Sequence, residues 1–135
     1  MQSMTQAAPV SKAAQWTGWV LSAIPVLVIL MASIMKLVKA AAVVEAMARA
    51  GIPENLIVPV GVIELICIVI YLIPSTPILG AILMTGLLGG ATMTGLRAGD
   101  PSFPMPIVMG VLAWAGLWLR EPRLKLLIPL RRKEN

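Results

Sequence analysis

The chain has 135 residues, 59% of them hydrophobic and 13% charged, with a formal net charge of +5 and a mean hydropathy of +0.90. A soluble chain of that length cannot hide so much apolar surface, so composition points to a single integral membrane domain. One cysteine excludes an intrachain disulfide or dithiol couple, and the lack of histidine removes the usual haem and metal ligand and the usual neutral-pH acid–base group.

The basic residues lie between and after the apolar runs, with six of them in the last sixteen positions. That distribution fits membrane orientation and anionic headgroups; a nucleic-acid partner would need a basic stripe with interleaved aromatics, and none is present.

In chain order, residues 1–15 read as a polar cytoplasmic tail. A first span follows over about 16–38, with Trp16 and Trp19 at its interface, Pro25 inside it and Lys36 closing it. Lys39–Ala50 reads as a short amphipathic helix on the surface, stopped by Gly51. The second span, 56–73, ends at Pro74-Ser-Thr-Pro77, a turn so short that the third span, 78–97, must return beside it. A fourth, shorter span covers 103–119, Leu124–Leu130 reads as interfacial, and 131–135 is a basic tail. The predicted fold is an all-α membrane protein, an antiparallel four-transmembrane-helix bundle with the amphipathic helix between spans 1 and 2; its transmembrane domain covers 16–130. Four spans leave seven basic residues on the side of the termini and four on the other. The positive-inside rule then predicts both termini in the cytoplasm.

The second span carries an anomaly. Glu64 is the ninth residue of Leu56–Ile73, near the midplane, where an acid costs about 3 kcal/mol unless it finds a partner or water. Gly61, Glu64, Cys67 and Tyr71 fall on one face of that helix, which should point inward. Lys36 ends the first span within reach of Glu64, and Thr92 and Thr94 lie at similar depth. Arg97 and Asp100 close the third span. Lys36, Glu64, Thr92, Arg97 and Asp100 are therefore the predicted lining of a polar pocket in the outer half. Gly86, Gly89 and Gly90 are predicted helix-packing positions, with Gly86 and Gly90 forming a GxxxG whose contact is expected within the chain.

Blander readings stand beside these. A Lys36–Glu64 pair can serve only to fix register, and Arg97 with Asp100 can simply close a turn. Cys67 reads as a packing residue, and the nine methionines show no clustering that would hold copper. No metal site is expected.

Gly80–Pro101, GAILMTGLLGGATMTGLRAGDP, resembles the signature of the DoxX-like family of small four-helix membrane proteins. Lys36, the Gly-x-x-Glu of Gly61–Glu64 and the closing Trp114-x-x-Leu117…Leu119-Arg120 are similar to that family's pattern, so the likeness covers nearly all of 16–130. Family members often carry a histidine just before the arginine; this chain has Gly95-Leu96 there, and a role for that imidazole does not carry over. Relatives are linked to quinone-coupled oxidation of sulfur compounds, to oxidative-stress complexes and to receptor-channel assembly. The resemblance thus implies an accessory or ligand-binding subunit, with a quinone as the cofactor it would bring. The residues themselves hold no catalytic constellation. A structural partner docking through the Gly-rich third helix, a homo-oligomer and a small transporter are the alternatives, the last weakened by the lack of an internal repeat.

Overall fold

The computed structural model describes residues 10–127, all of them helix, turn or connecting loop. α1 (Lys12–Leu37) begins because Ser11 Oγ accepts the Ala14 N–H at 3.2 Å, capping the first turn. The first helix therefore starts inside the expected polar tail, whose residues 12–15 are helical. Residues 1–9 and the basic tail 131–135 lie outside the described residues. α2 (Ala41–Arg49) follows, then a single 3-10 turn at Glu54–Leu56 leading into α3 (Ile57–Leu72). α4 (Pro77–Ala98) opens on a proline, α5 (Met105–Arg120) has one in its first turn, and α6 is the six-residue Pro122–Leu127.

Three helices end alike. α1, α2 and α4 close with paired hydrogen bonds back into the last turn, through a left-handed residue at Lys39 (φ 49°), Gly51 (φ 74°) and Gly99 (φ 69°). Two of these are glycines, as the geometry asks; Lys39 carries a Cβ there.

α1 packs on α3 and α5, and α4 packs on the same two. Opposed residues count up on one helix as they count down on the next. Ser22 faces Tyr71 and Ser33 faces Gly61 between α1 and α3; Trp114 reaches Thr85 and Gly110 meets Leu88 between α5 and α4. The closest approaches are built on glycine. A Cβ on Gly18 would stand 2.7 Å from the Gly116 carbonyl of α5, one on Gly61 would meet Lys36 Cβ at 2.9 Å, and one on Gly80 would strike the Tyr71 backbone. Gly86, Gly89 and Gly90 have no atom within 4 Å of that position. Gly86 and Gly90, expected to pack inside the chain, have open space at their Cβ positions and line a cavity between α3 and α4.

The distribution of polarity is inverted relative to a water-soluble domain. Ser22, Ser33 and Glu64 are buried, while Leu27 (63% exposed), Met93 (64%) and Val111 (62%) point outward. Lipid tails, being as apolar as leucine, make such a surface stable where water would not. α1, the α3 segment and α4 are each long and apolar enough to cross a bilayer; α5, at 16 residues, is shorter. The end holding Lys36, α2 and the α4–α5 loop is here termed the Lys36 end, and the opposite one the Arg120 end.

Two substitutions separate closing glycines from open ones. In detergent melts, Gly80→Val should unfold earlier by at least about 1–3 kcal/mol of overpacking. Gly90→Ala, meeting nothing, should be neutral or gain up to about 1 kcal/mol of helix propensity. Lys39→Gly should gain about 1 kcal/mol by relieving the left-handed backbone, since its 3.8 Å contact with Glu54 is exposed on both sides.

Candidate functional site

Gly61 is where the site begins. Its missing side chain lets α1 press onto α3, and Ser33 Oγ donates to the Gly61 carbonyl at 2.6 Å. One turn further along both helices, Lys36 Nζ donates to Glu64 Oε1 at 2.8 Å and Oε2 at 3.0 Å. Both side chains are largely covered, at 13% and 12% exposure. A two-oxygen contact with an ammonium neutralises the acid and leaves one of the three N–H bonds of Lys36 uncommitted.

Beside this pair lies a cavity of about 730 Å³ between α3 and α4, beneath α2. Lys36, Glu64 and Asp100 all line it, so three of the five residues expected at the site meet in one place. The α4 wall is made mostly of small residues, among them Gly86, Gly90, Gly95 and Ala98, with Leu87 the one large side chain, and Arg49 of α2 stands at the mouth. Gly86 to Ala98 is 12 helical steps, so the α4 wall runs for about 18 Å at 1.5 Å per step. The volume falls in the range typical of ligand pockets, roughly 300–1,000 Å³.

The other two residues lie elsewhere. Thr92 donates to the Leu88 carbonyl of its own helix and lines a separate apolar groove with Trp114 and Gly110. It is Thr94, two positions on, that faces the cavity, and its hydroxyl also donates to its own helix, to Gly90 O. Arg97 lines a neighbouring cleft and reaches the Ala50 carbonyl at 3.5 Å. Arg97 and Asp100 do not pair. Asp100 Oδ1 instead accepts the Ser102 N–H at 2.9 Å and the Ser102 hydroxyl at 2.7 Å. Those bonds, with a smaller contribution from the Arg49 charge, hold the Asp100 carboxyl below the usual carboxylate range, so it is ionised at neutral pH. Cys67 is buried in the core as a packing residue. Among the described residues no three of Cys, Asp or Glu come together as a metal site would require.

A family model described as the DoxX-like family matches residues 20–116. The chain belongs to the DoxX-like family. No curated protein and no solved structure matches it. In this DoxX-like chain the matched segment contains Lys36, Gly61, Glu64 and Asp100, and it ends before Arg120.

Arg120 belongs to a second polar network, at the opposite end, that sequence reasoning did not assemble. Tyr71 donates to the Ala113 carbonyl at 2.7 Å and lies 2.8 Å from Ser22 Oγ, which also accepts Arg120 Nε at 3.2 Å. The Arg120 guanidinium stacks over Trp19 at 4.1 Å and over Tyr71 at 5.1 Å. The signal was present in α1, where Ser22, Ile29, Ser33 and Lys36 recur at helical spacing on one face. The polar stripe of α3 thus meets α1 and α5, not the threonines of α4.

Removing one partner of either network exposes its role. Lys36→Met should cost about 3–5 kcal/mol, because it strands a buried carboxylate. Tyr71→Phe should cost about 1–2 kcal/mol by removing the buried hydroxyl that bridges the Ala113 carbonyl and Ser22 Oγ. Both are read as losses of melting temperature in the same detergent.

Proposed function

We propose that this DoxX-like protein crosses the membrane four times as an antiparallel bundle and holds one amphiphile in the cavity beside Lys36 and Glu64. Three helices satisfy the length and apolarity of a span. α5 would complete the set as a shorter fourth span, with α2 lying on the surface as an amphipathic cover. Positive-inside counting would place the Lys36 end outside and both termini in the cytoplasm of an inner membrane.

The observation that carries the reading is a roomy, mostly apolar cavity with a buried ion pair in its wall. A purely structural pair needs only to be sealed between helices. This one lines a space of about 730 Å³. The ligand is quinone- or lipid-like: a polar group beside Lys36, Glu64 or the mouth, and an apolar portion along the small residues of α4. In this reading the protein is an accessory subunit of a membrane-associated redox or stress-related system, and any redox chemistry comes from the ligand or a partner. The quinone and the redox setting rest on family resemblance.

A second reading uses the same open glycines. Gly86 and Gly90 would accept a helix of another membrane protein, or of a second copy, as small-residue stripes do.

Native mass spectrometry of protein released from lipid nanodiscs separates the two. A Cβ at Gly90 meets no atom within 4 Å and the cavity lies beyond it, so Gly90→Leu should fill that space in a variant that still folds, with thermal melting as the check. The amphiphile reading expects a retained small molecule at one per chain, lost in Gly90→Leu. A retained polypeptide lost in the same variant supports the docking reading instead. Retention of the small molecule unchanged by Gly90→Leu removes the cavity as its site.

A further inference from the structure

The mouth of the cavity carries one charge of each sign on opposite walls. Arg49 projects from α2, and among the described residues its one ion-pair contact is with Glu45 at 3.4 Å, both side chains being 71% exposed. Asp100 projects from the α4–α5 loop; its Oδ1 takes both Ser102 bonds, and among the described residues Oδ2 takes none. The two charges feel each other without forming an ion pair. Inward from them the α4 wall runs for about 18 Å through mostly small residues, with Leu87 and Thr94 among them, longer than one leaflet's share of a roughly 30 Å hydrocarbon core.

From this placement we infer that the cavity selects a phospholipid with a zwitterionic headgroup bearing a primary ammonium, the phosphate toward Arg49, the ammonium toward Asp100 and an acyl chain along α4. The inference rests on the amphiphile reading above. An anionic lipid would satisfy Arg49 but set a negative headgroup against Asp100. A quaternary ammonium would supply the charge but no N–H for Asp100 Oδ2. A primary ammonium supplies both, with three donors. The guanidinium suits phosphate because its donors form a planar fork matching two oxygens. Gly86 and Gly90 leave the volume a chain needs, which accounts for two glycines whose Cβ positions meet nothing in the protein.

The test is native mass spectrometry from nanodiscs containing equal parts phosphatidylethanolamine, phosphatidylcholine and phosphatidylglycerol, with thermal melting as the check on folding. The wild type should retain phosphatidylethanolamine over each of the others by about ten-fold, the worth of one charge-assisted hydrogen bond. Asp100→Asn, which keeps an acceptor for Ser102, should erase the preference over phosphatidylglycerol while one lipid is still retained. Arg49→Gln should lower retention of all three. Retention with no headgroup preference in the wild type, yet abolished by Gly90→Leu, overturns the zwitterion inference and leaves the cavity reading standing. Retention indifferent to Gly90→Leu overturns both.

Discussion

The structure depends on one contact, the Lys36–Glu64 ion pair between α1 and α3. An ionised carboxylate within a membrane helix is affordable only if its charge is met at short range, and here two of its oxygens meet one ammonium at 2.8 and 3.0 Å. That contact requires α1 and α3 to lie closer than side chains ordinarily permit. Gly61 provides the space and Ser33 locks it by bonding to the Gly61 carbonyl. The sequence Gly-x-x-Glu on α3 and Ser-x-x-Lys on α1 is thus one device in two halves, each spaced by about one helical turn.

Glycine does two opposite jobs in this chain. Gly18, Gly61, Gly80 and Gly116 bring backbones together, and any side chain there would collide with a neighbour. Gly86, Gly89 and Gly90 collide with nothing and so create space. The helix pair α3–α4 shows both: closed at the turn, where Gly80 sits on the Tyr71 backbone, and open toward the Lys36 end, where the cavity lies. A glycine-rich segment read from sequence alone looks the same in either case.

Much of the fold was legible because membrane helices announce themselves by length and apolarity, and their ends by proline, glycine and charge. The inward stripe Gly61, Glu64, Cys67 and Tyr71 was legible for the same reason that amphipathic periodicity is. The Lys36–Glu64 meeting was legible because each residue is anomalous where it stands. Azimuth was not. Thr92 and Thr94 share a depth but differ by about 200° around α4, and only the packing of α4 against α5 decides which of them faces the cavity. Arg97 and Asp100 look like a pair until Ser102 takes the carboxylate and Ala50 takes the guanidinium. Arg120 reads as an end anchor until Ser22 and Tyr71 are placed beside it.

The central claim is that the Lys36–Glu64 pair both fastens α1 to α3 and forms part of a ligand site. Fastening alone makes the pair replaceable by apolar side chains of similar size, because a buried pair removed whole leaves no charge stranded. The decisive measurement is therefore made on Lys36→Met/Glu64→Met, comparing its melting temperature and its retained small molecule with those of the wild type. The account predicts that the double variant recovers most of the stability lost in Lys36→Met while its retained ligand falls by about ten-fold. A double variant that is equally stable and keeps its ligand unchanged would contradict it, and would leave the pair a fastening only.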